Sequence, residues 1–220
     1  MTRKWKRMTA AEGMAILQSD PEWVRRHEEY EAAQKARVAQ RNEEIEPEDA
    51  PLMADLVAAR VKVCPSHVTL LLEPGTSPDP ASVRSLSDLV NTPDNYPEAI
   101  PILYKHLRTA KHPDMVEWIA RALTVKEACG PQAREILEKL QRLDFLESTP
   151  AVPRSDARWA LANALTVVGD AGMVDEIKAL IADPRHADIQ ARLKDALKHC
   201  ERLAKRSSER SAPMKRNPMP

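Results

Sequence analysis

Carboxylate side chains are the first residues of this chain that could do acid–base chemistry. Three aspartates, Asp114, Asp156 and Asp188, each stand eight residues before an alanine and nine before a leucine. A carboxylate at such a repeated position suits the first turn of a helix, where it meets the positive end of the helix dipole and contributes ~0.3–1 kcal/mol. A catalytic pair is needed once, whereas these residues recur in every copy. We therefore interpret the aspartates as structural.

The six histidines and three cysteines are scattered along the chain. They form no His-x3-His pair, Cys-x-x-Cys pair or His-Cys cluster, so no metal site is predicted. His112 and His186 stand just before two of the aspartate segments, where a cap-like role is expected. The cysteines are expected to be reduced thiols. They are Cys64, Cys129 and Cys200.

Sequence motifs of common catalytic and cofactor sites are missing. The chain has no Gly-x-Ser-x-Gly, no His-Glu-x-x-His and no glycine-rich phosphate loop, and it contains only 5 glycines. We therefore predict no cofactor, no bound metal and no enzymatic activity.

The aspartate segments also define the architecture, because each follows a stripe of apolar residues. These residues fall at i, i+3 and i+7, the spacing of a half-buried helix. The stripes are Ile100, Leu103 and Leu107; Ala133, Ile136 and Leu140; Val174, Ile177 and Ile181. The unit is therefore a pair of helices, present three times. The predicted helices span 97–108, 113–126, 131–143, 155–168, 172–182 and 187–203.

The repeat spacing of 33 to 42 residues, with an early aspartate in each second helix, resembles HEAT-like repeats over about residues 96–204. Leu89–Leu107 and Ile119–Lys126 also resemble stretches of uncharacterised bacterial HEAT-repeat proteins. The resemblance implies an all-α fold, a short right-handed α-solenoid of antiparallel helix pairs. It carries no activity with it.

Helix-favouring composition, with 4% aromatic residues, supports an all-α chain. We predict a flexible N-terminus at 1–8, a helical cap at 9–60, a Pro-rich loop or small hairpin at 61–80, repeats at 81–204 and a disordered basic tail at 205–220. The cap contains a long charged helix, 21–45, followed by a second helix from Pro47 to about Arg60. The long helix is either a coiled-coil arm or a cap over the end of the solenoid. The 61–80 insertion either binds a partner or packs on neighbouring helices.

The charge of the chain is unevenly distributed although its formal net value is zero. Both ends are basic, which leaves residues 8–204 with a net charge of −8. An acidic body disfavours nucleic-acid binding and suits a partner with a basic surface, or a solvated surface with no partner. No apolar run is long enough to span a bilayer and no signal peptide is recognised, so we expect a cytoplasmic protein without membrane contact.

The second helix of each pair has a side that faces away from its apolar stripe. In a HEAT-like solenoid these sides would line the concave face as one strip. The strip comprises Glu117, Arg121, Thr124, Trp159, Asn163, Thr166, Ala191, Asp195 and Lys198. Trp159 is either an anchor for a partner or is covered by the 144–152 loop with Phe145 and Leu146. The candidate partner-binding residues are Glu117, Arg121, Trp159, Asn163, Asp195 and Lys198.

Three functions remain open from the sequence. The first is a non-catalytic scaffold that binds a partner protein through this strip, as an adaptor or inhibitor. The second is a DNA-binding enzyme, because Trp159, Arg121 and Asp195 resemble residue types on the concave face of HEAT-like alkylpurine DNA glycosylases. The third is a structural subunit that oligomerises through helix 21–45.

Overall fold

The computed structural model describes residues 9, 14, 18–64, 81–146 and 155–211. Regular structure in this part of the chain is almost entirely helical, which confirms the all-α prediction. The chain divides into two compact units, Met1–Glu46 and Pro47–Pro220. None of the described helices is long and apolar enough to cross a membrane.

Helix α1, Pro21–Ala58, begins in the first unit and ends in the second. The Asp20 side chain starts it by accepting a hydrogen bond from the backbone N–H of Glu22 at 2.9 Å. Within 21–46 no residue is buried. Ion pairs one turn apart, such as Arg25 with Glu29 at 2.8 Å, occupy its surface instead of an apolar stripe.

The prediction of two separate helices at 21–45 and 47–60 is wrong, because α1 passes through Pro47 and Pro51 without ending. Each proline removes one backbone N–H, and a proline inside a helix costs ~3 kcal/mol. The turns that follow are anchored by Leu52 and Leu56, which are completely buried.

Two carboxylates near the end of α1 bind other residues of the second unit. Glu48 accepts hydrogen bonds from the backbone N–H groups of Lys111 and His112 at 2.9–3.3 Å. Asp55 lies 2.7 Å from Lys105 Nζ and 2.8 Å from His106 Nε2. These contacts lower the pKa of Asp55. The last turns of α1 are thus part of the second unit.

A two-stranded antiparallel ribbon, β1 (Lys62–Val63) and β2 (Ala81–Ser82), pairs Lys62 with Ser82. The segment 65–80, between its strands, lies outside the described residues, so the choice between loop and hairpin for 61–80 is tested only at the two ends. Helix α2 is short, Leu86–Val90.

Six further helices follow at the predicted places. They are α3 (Ile100–Thr109), α4 (Pro113–Ala122), α5 (Arg134–Arg142), α6 (Ser155–Val168), α7 (Val174–Ala182) and α8 (Gln190–Ser211). Single 3₁₀ turns at Pro131–Ala133 and Ala171–Met173 and a longer one at Pro184–Ile189 lead into α5, α7 and α8. The predicted helix starts at 131, 172 and 187 fall on these turns.

The helices contact one another in a regular order. Helix α4 packs against α3 and α6, helix α6 against α5 and α8, and helix α8 against α7. The first helices also touch in sequence, α3 with α5 and α5 with α7. Equivalent apolar residues of the second helices, Ile119, Leu161 and Leu193, are completely buried.

The prediction of a disordered tail at 205–220 is wrong for residues 205–211, which continue α8. No proline interrupts the chain before Pro213, and Ala204, Lys205 and Arg206 are residues that favour helix. The remaining predicted tail, 212–220, and the predicted flexible N-terminus, 1–8, lie outside the described residues.

Candidate partner-binding surface

The six candidate partner-binding residues lie on three helices that pack side by side, α4, α6 and α8. None of them is buried: Glu117 and Asn163 are half-buried, and Arg121, Trp159, Asp195 and Lys198 are exposed. The side chains of all six residues are therefore at least partly accessible to solvent, and the helices that carry them are neighbours.

On α4, an ion pair links Glu117 and Arg121 at 2.7 Å, one helical turn apart. The Arg121 guanidinium also lies 5.8 Å from the ring centroid of Trp118. Burial raises the pKa of Glu117; Arg121 opposes this shift, and the carboxylates of Asp156 and Asp114 add to it. This end of the surface is acidic, and Glu117 is partly removed from water.

On α6, Trp159 is the large aromatic residue of the surface, with 36% of its area exposed. The Arg192 guanidinium of α8 lies 4.9 Å from its ring centroid, a cation–π distance. The alternative cover, the 144–152 loop, is described only to residue 146. Phe145 in that loop is completely buried and lies 5.9 Å from Lys139 Nζ.

On α8, Asp195 and Lys198 form an ion pair at 3.2 Å. They line a shallow groove of about 710 Å³ between this helix and α6. Four of the lining residues are basic and two are acidic. The groove is lined by Thr166, Arg192, Asp195, Lys198, Glu201, Arg202 and Lys205.

The structure brings some of the predicted residues together and leaves others apart. Thr166, Asp195 and Lys198 line the same groove. Among the described residues, no hydrogen bond or ion pair joins Arg121 to Trp159, or Asn163 to Asp195. These side chains are related only by the packing of the helices that carry them.

Sequence analysis missed Arg192, Arg202 and Lys205. Arg192 stands three residues before Asp195, and Arg202 and Lys205 stand four and seven after Lys198, so helical spacing could have included them. Lys205 belongs to the segment predicted as a disordered tail. The predicted strip contains three residues per repeat, and the two arginines are not among them.

The repeated aspartates are not equivalent in the structure. Asp114 and Asp156 lie in the first turns of α4 and α6, as predicted. Asp188 lies in the 3₁₀ turn before α8 and accepts a hydrogen bond from Arg158 at 2.6 Å. Asp188 therefore joins the start of α8 to α6 through Arg158, which differs from the predicted first-turn role.

The two histidines expected as caps also differ. His112 caps α4, because its Nδ1 accepts a hydrogen bond from the Asp114 backbone N–H at 3.2 Å. At the corresponding turn before α8, Asp183 accepts from the Arg185 N–H at 2.9 Å, and His186 is buried. The cap prediction is wrong for His186 because the preceding carboxylate already occupies that place.

Within the described ranges, no group of three or more His, Cys, Asp or Glu residues is arranged to hold a metal ion. Cys64 and Cys200 are buried free thiols, and Cys129 is an exposed one. Burial is the main cause that raises the pKa of Cys129 and of Cys200, the latter to about 11. Higher thiol pKa values lower the thiolate fraction and with it nucleophilic reactivity.

A smaller pocket of about 300 Å³ lies between the end of α1, helix α3 and helix α4. Its apolar lining includes Pro51 and Met115. Its Glu48 carboxylate is bound to backbone N–H groups, and its His106 ring is bound to Asp55. Both polar groups of the pocket therefore already have partners within the protein.

Comparison of the chain with protein-family models, curated proteins and solved structures found no match. The function proposed below therefore depends on the sequence pattern and on the geometry of the second helices.

Proposed function

We propose that the chain is a HEAT-like repeat scaffold that binds a partner protein through the exposed side of α4, α6 and α8, and that it catalyses no reaction. The observation that carries the proposal is Trp159, which is 36% exposed on a helix that packs between α4 and α8. Tryptophan is among the residues that most often dominate the binding free energy of protein interfaces.

The neighbours of Trp159 support this role. Arg192 lies against the indole ring, and arginine is also enriched at the centres of interfaces. The pairs Glu117–Arg121 and Asp195–Lys198 lie on either side, on the adjacent helices. Exposed ion pairs contribute little affinity, about 0–1 kcal/mol each, but they select partners by charge.

The order of helix contacts supports the solenoid part of the proposal. Second helices contact second helices and first helices contact first helices, which is typical of stacked repeats. In such a stack each repeat adds one helix to the binding surface, so α4, α6 and α8 would present one continuous face.

Affinity capture with the tagged full-length chain, from extracts of cells that naturally contain it, tests the proposal. The double variant Trp159→Ala with Arg121→Ala removes the aromatic anchor and one charge. The matched control, Lys62→Ala with Lys126→Ala, changes two exposed residues outside this surface. Captured partners should be lost with the first variant and retained with the control. An unchanged partner list in both variants would remove the surface as the binding site.

The exposed side of α1 favours a second candidate function, oligomerisation through helix 21–45. Tyr30 and Val38 are 61% and 53% exposed. Light scattering on the full-length chain should then give a dimer or larger species, and Tyr30→Glu with Val38→Glu should reduce it to a monomer. A monomeric wild-type chain would reject this candidate.

A further inference from the structure

The groove between α6 and α8 carries uncompensated positive charge. Lys198 is paired with Asp195 at 3.2 Å, and Glu201 is paired with Lys178 of α7 at 3.8 Å. Both carboxylates of the groove are thus neutralised by lysines. In the described part of the chain, the other three basic residues of the groove have no carboxylate within ion-pairing distance. These residues are Arg192, Arg202 and Lys205.

All three cations lie on one helix, α8, and line the same groove. Thirteen residues separate Arg192 from Lys205, a rise of ~20 Å. An extended peptide covers that distance with about six residues. Arg192 is positioned by the Trp159 ring, and Arg202 Nε donates a hydrogen bond to the Lys198 carbonyl at 3.2 Å. The two arginines are therefore partly preorganised for a ligand.

We propose that this groove binds an acidic peptide segment of the partner protein, an inference that rests on the proposed function. Carboxylates spaced along such a segment would pair with the three uncompensated cations, and an apolar residue of the segment would pack on Trp159. Arginine donates two parallel hydrogen bonds to a carboxylate, so Arg192 and Arg202 would give the strongest of these contacts.

Charge complementarity favours an acidic peptide over a nucleic acid. Glu117 and the nearby Asp156 lie at the α4 end of the surface. A phosphate backbone that continued past the groove would be repelled by these carboxylates, whereas a peptide of about six residues ends within the groove. Trp159 is also the one aromatic residue of the strip, and single-stranded nucleic acids need several rings to stack on.

Fluorescence anisotropy with labelled octaglutamate and the full-length chain at low ionic strength tests the proposal. The variant Arg202→Glu with Lys205→Glu reverses two charges of the groove. The control, Lys62→Glu with Lys126→Glu, changes the net charge equally at exposed sites elsewhere. Octaglutamate should bind the wild-type chain and the control alike. The groove variant should bind about tenfold more weakly, as expected from the loss of two exposed ion pairs.

Three results would overturn the proposal. The first is no binding of octaglutamate to the wild-type chain. The second is equal weakening in both variants, which would indicate a response to net charge alone. The third is an oligothymidylate of equal length that binds more tightly and depends on the groove. Loss of captured protein with the Trp159 and Arg121 variant, together with no octaglutamate binding, would retain the proposed function and reject only the acidic partner.

Discussion

Lys139 of α5 is completely buried, although lysine is rarely found in a protein interior. Its ammonium lies 2.8 Å from Asp144 Oδ1 and donates a hydrogen bond to the carbonyl of Ala110, just after α3. Burial lowers the pKa of Lys139, and Asp144 opposes that shift. The side chain thus connects α5 to the end of α3 through a charge removed from water.

Lys139→Met keeps most of the apolar stem but removes this charge, and it leaves the Ala110 carbonyl without its donor. We expect a loss of about 1.5–3 kcal/mol in the free energy of unfolding, the range for hydrogen bonds to charged groups. Urea denaturation of the variant and of the exposed control Lys126→Met measures this loss in the free energy of unfolding. A change of equal size in both variants would contradict a connecting role for Lys139.

His186 is another buried polar side chain, in the turn before α8. Among the described residues, neither of its ring nitrogens has a hydrogen-bond partner. Burial lowers its pKa below the ordinary 6.5, although the carboxylates of Asp183 and Asp188 act in the opposite direction. Neutral imidazole is therefore the form that the folded chain accommodates.

Stability should fall as the pH falls below about 6.5, because the unfolded chain then binds a proton that folded His186 does not bind. The slope that one such group adds is at most ~1.4 kcal/mol per pH unit. His186→Leu removes this contribution, so its free energy of unfolding should rise relative to wild type between pH 7 and pH 5. Parallel pH dependence of urea denaturation in both proteins would show that His186 contributes nothing.

At the scale of elements, Gly169 sets how closely α8 approaches the end of α6. A Cβ atom at this position would lie 2.6 Å from the Leu165 carbonyl oxygen and 2.8 Å from Cys200 Sγ. Both distances are shorter than van der Waals contact, and Leu165 and Cys200 are completely buried. The contact between two successive second helices therefore requires a residue without a side chain.

Gly169→Ala should destabilise the chain by about 1–3 kcal/mol, the usual cost of overpacking a tight interior. Gly172→Ala is a matched control, because its Cβ would meet only the Asp170 carboxylate, at 3.2 Å, on the surface. Thermal denaturation of both variants measures the difference. Equal thermal midpoints in the two variants would mean that the close approach of α8 to Gly169 contributes nothing to stability.

Helical periodicity was sufficient to predict α3 to α8, because each of them buries one apolar face. Helical periodicity failed to predict helix boundaries that the apolar spacing does not mark. Pro47 favours a helix start in isolation, but α1 continues through it. The polar segment after Leu203 has no apolar pattern, yet α8 continues to Ser211 because several of its residues favour helix.

At the scale of the whole molecule, long-range contacts could not be predicted from sequence spacing. Glu48 binds backbone groups 63 and 64 residues away, and nothing near it in the chain indicates those partners. The candidate surface was partly predictable, since repeat alignment placed Trp159 and Asp195 on second helices. The basic residues of the groove all lie on α8, so helical spacing indicates them once the helix is known to continue past Leu203.

Site-specific photo-crosslinking tests the central claim, that a partner protein contacts the exposed side of the second helices. A photoreactive amino acid replaces Asn163 or Lys198 on this side. In the controls it replaces Gln141 or Ala179, which are exposed residues of the first helices. We predict a crosslinked product containing the same partner from positions 163 and 198, and none from 141 and 179. Crosslinking of a partner only from 141 or 179 would contradict the claim.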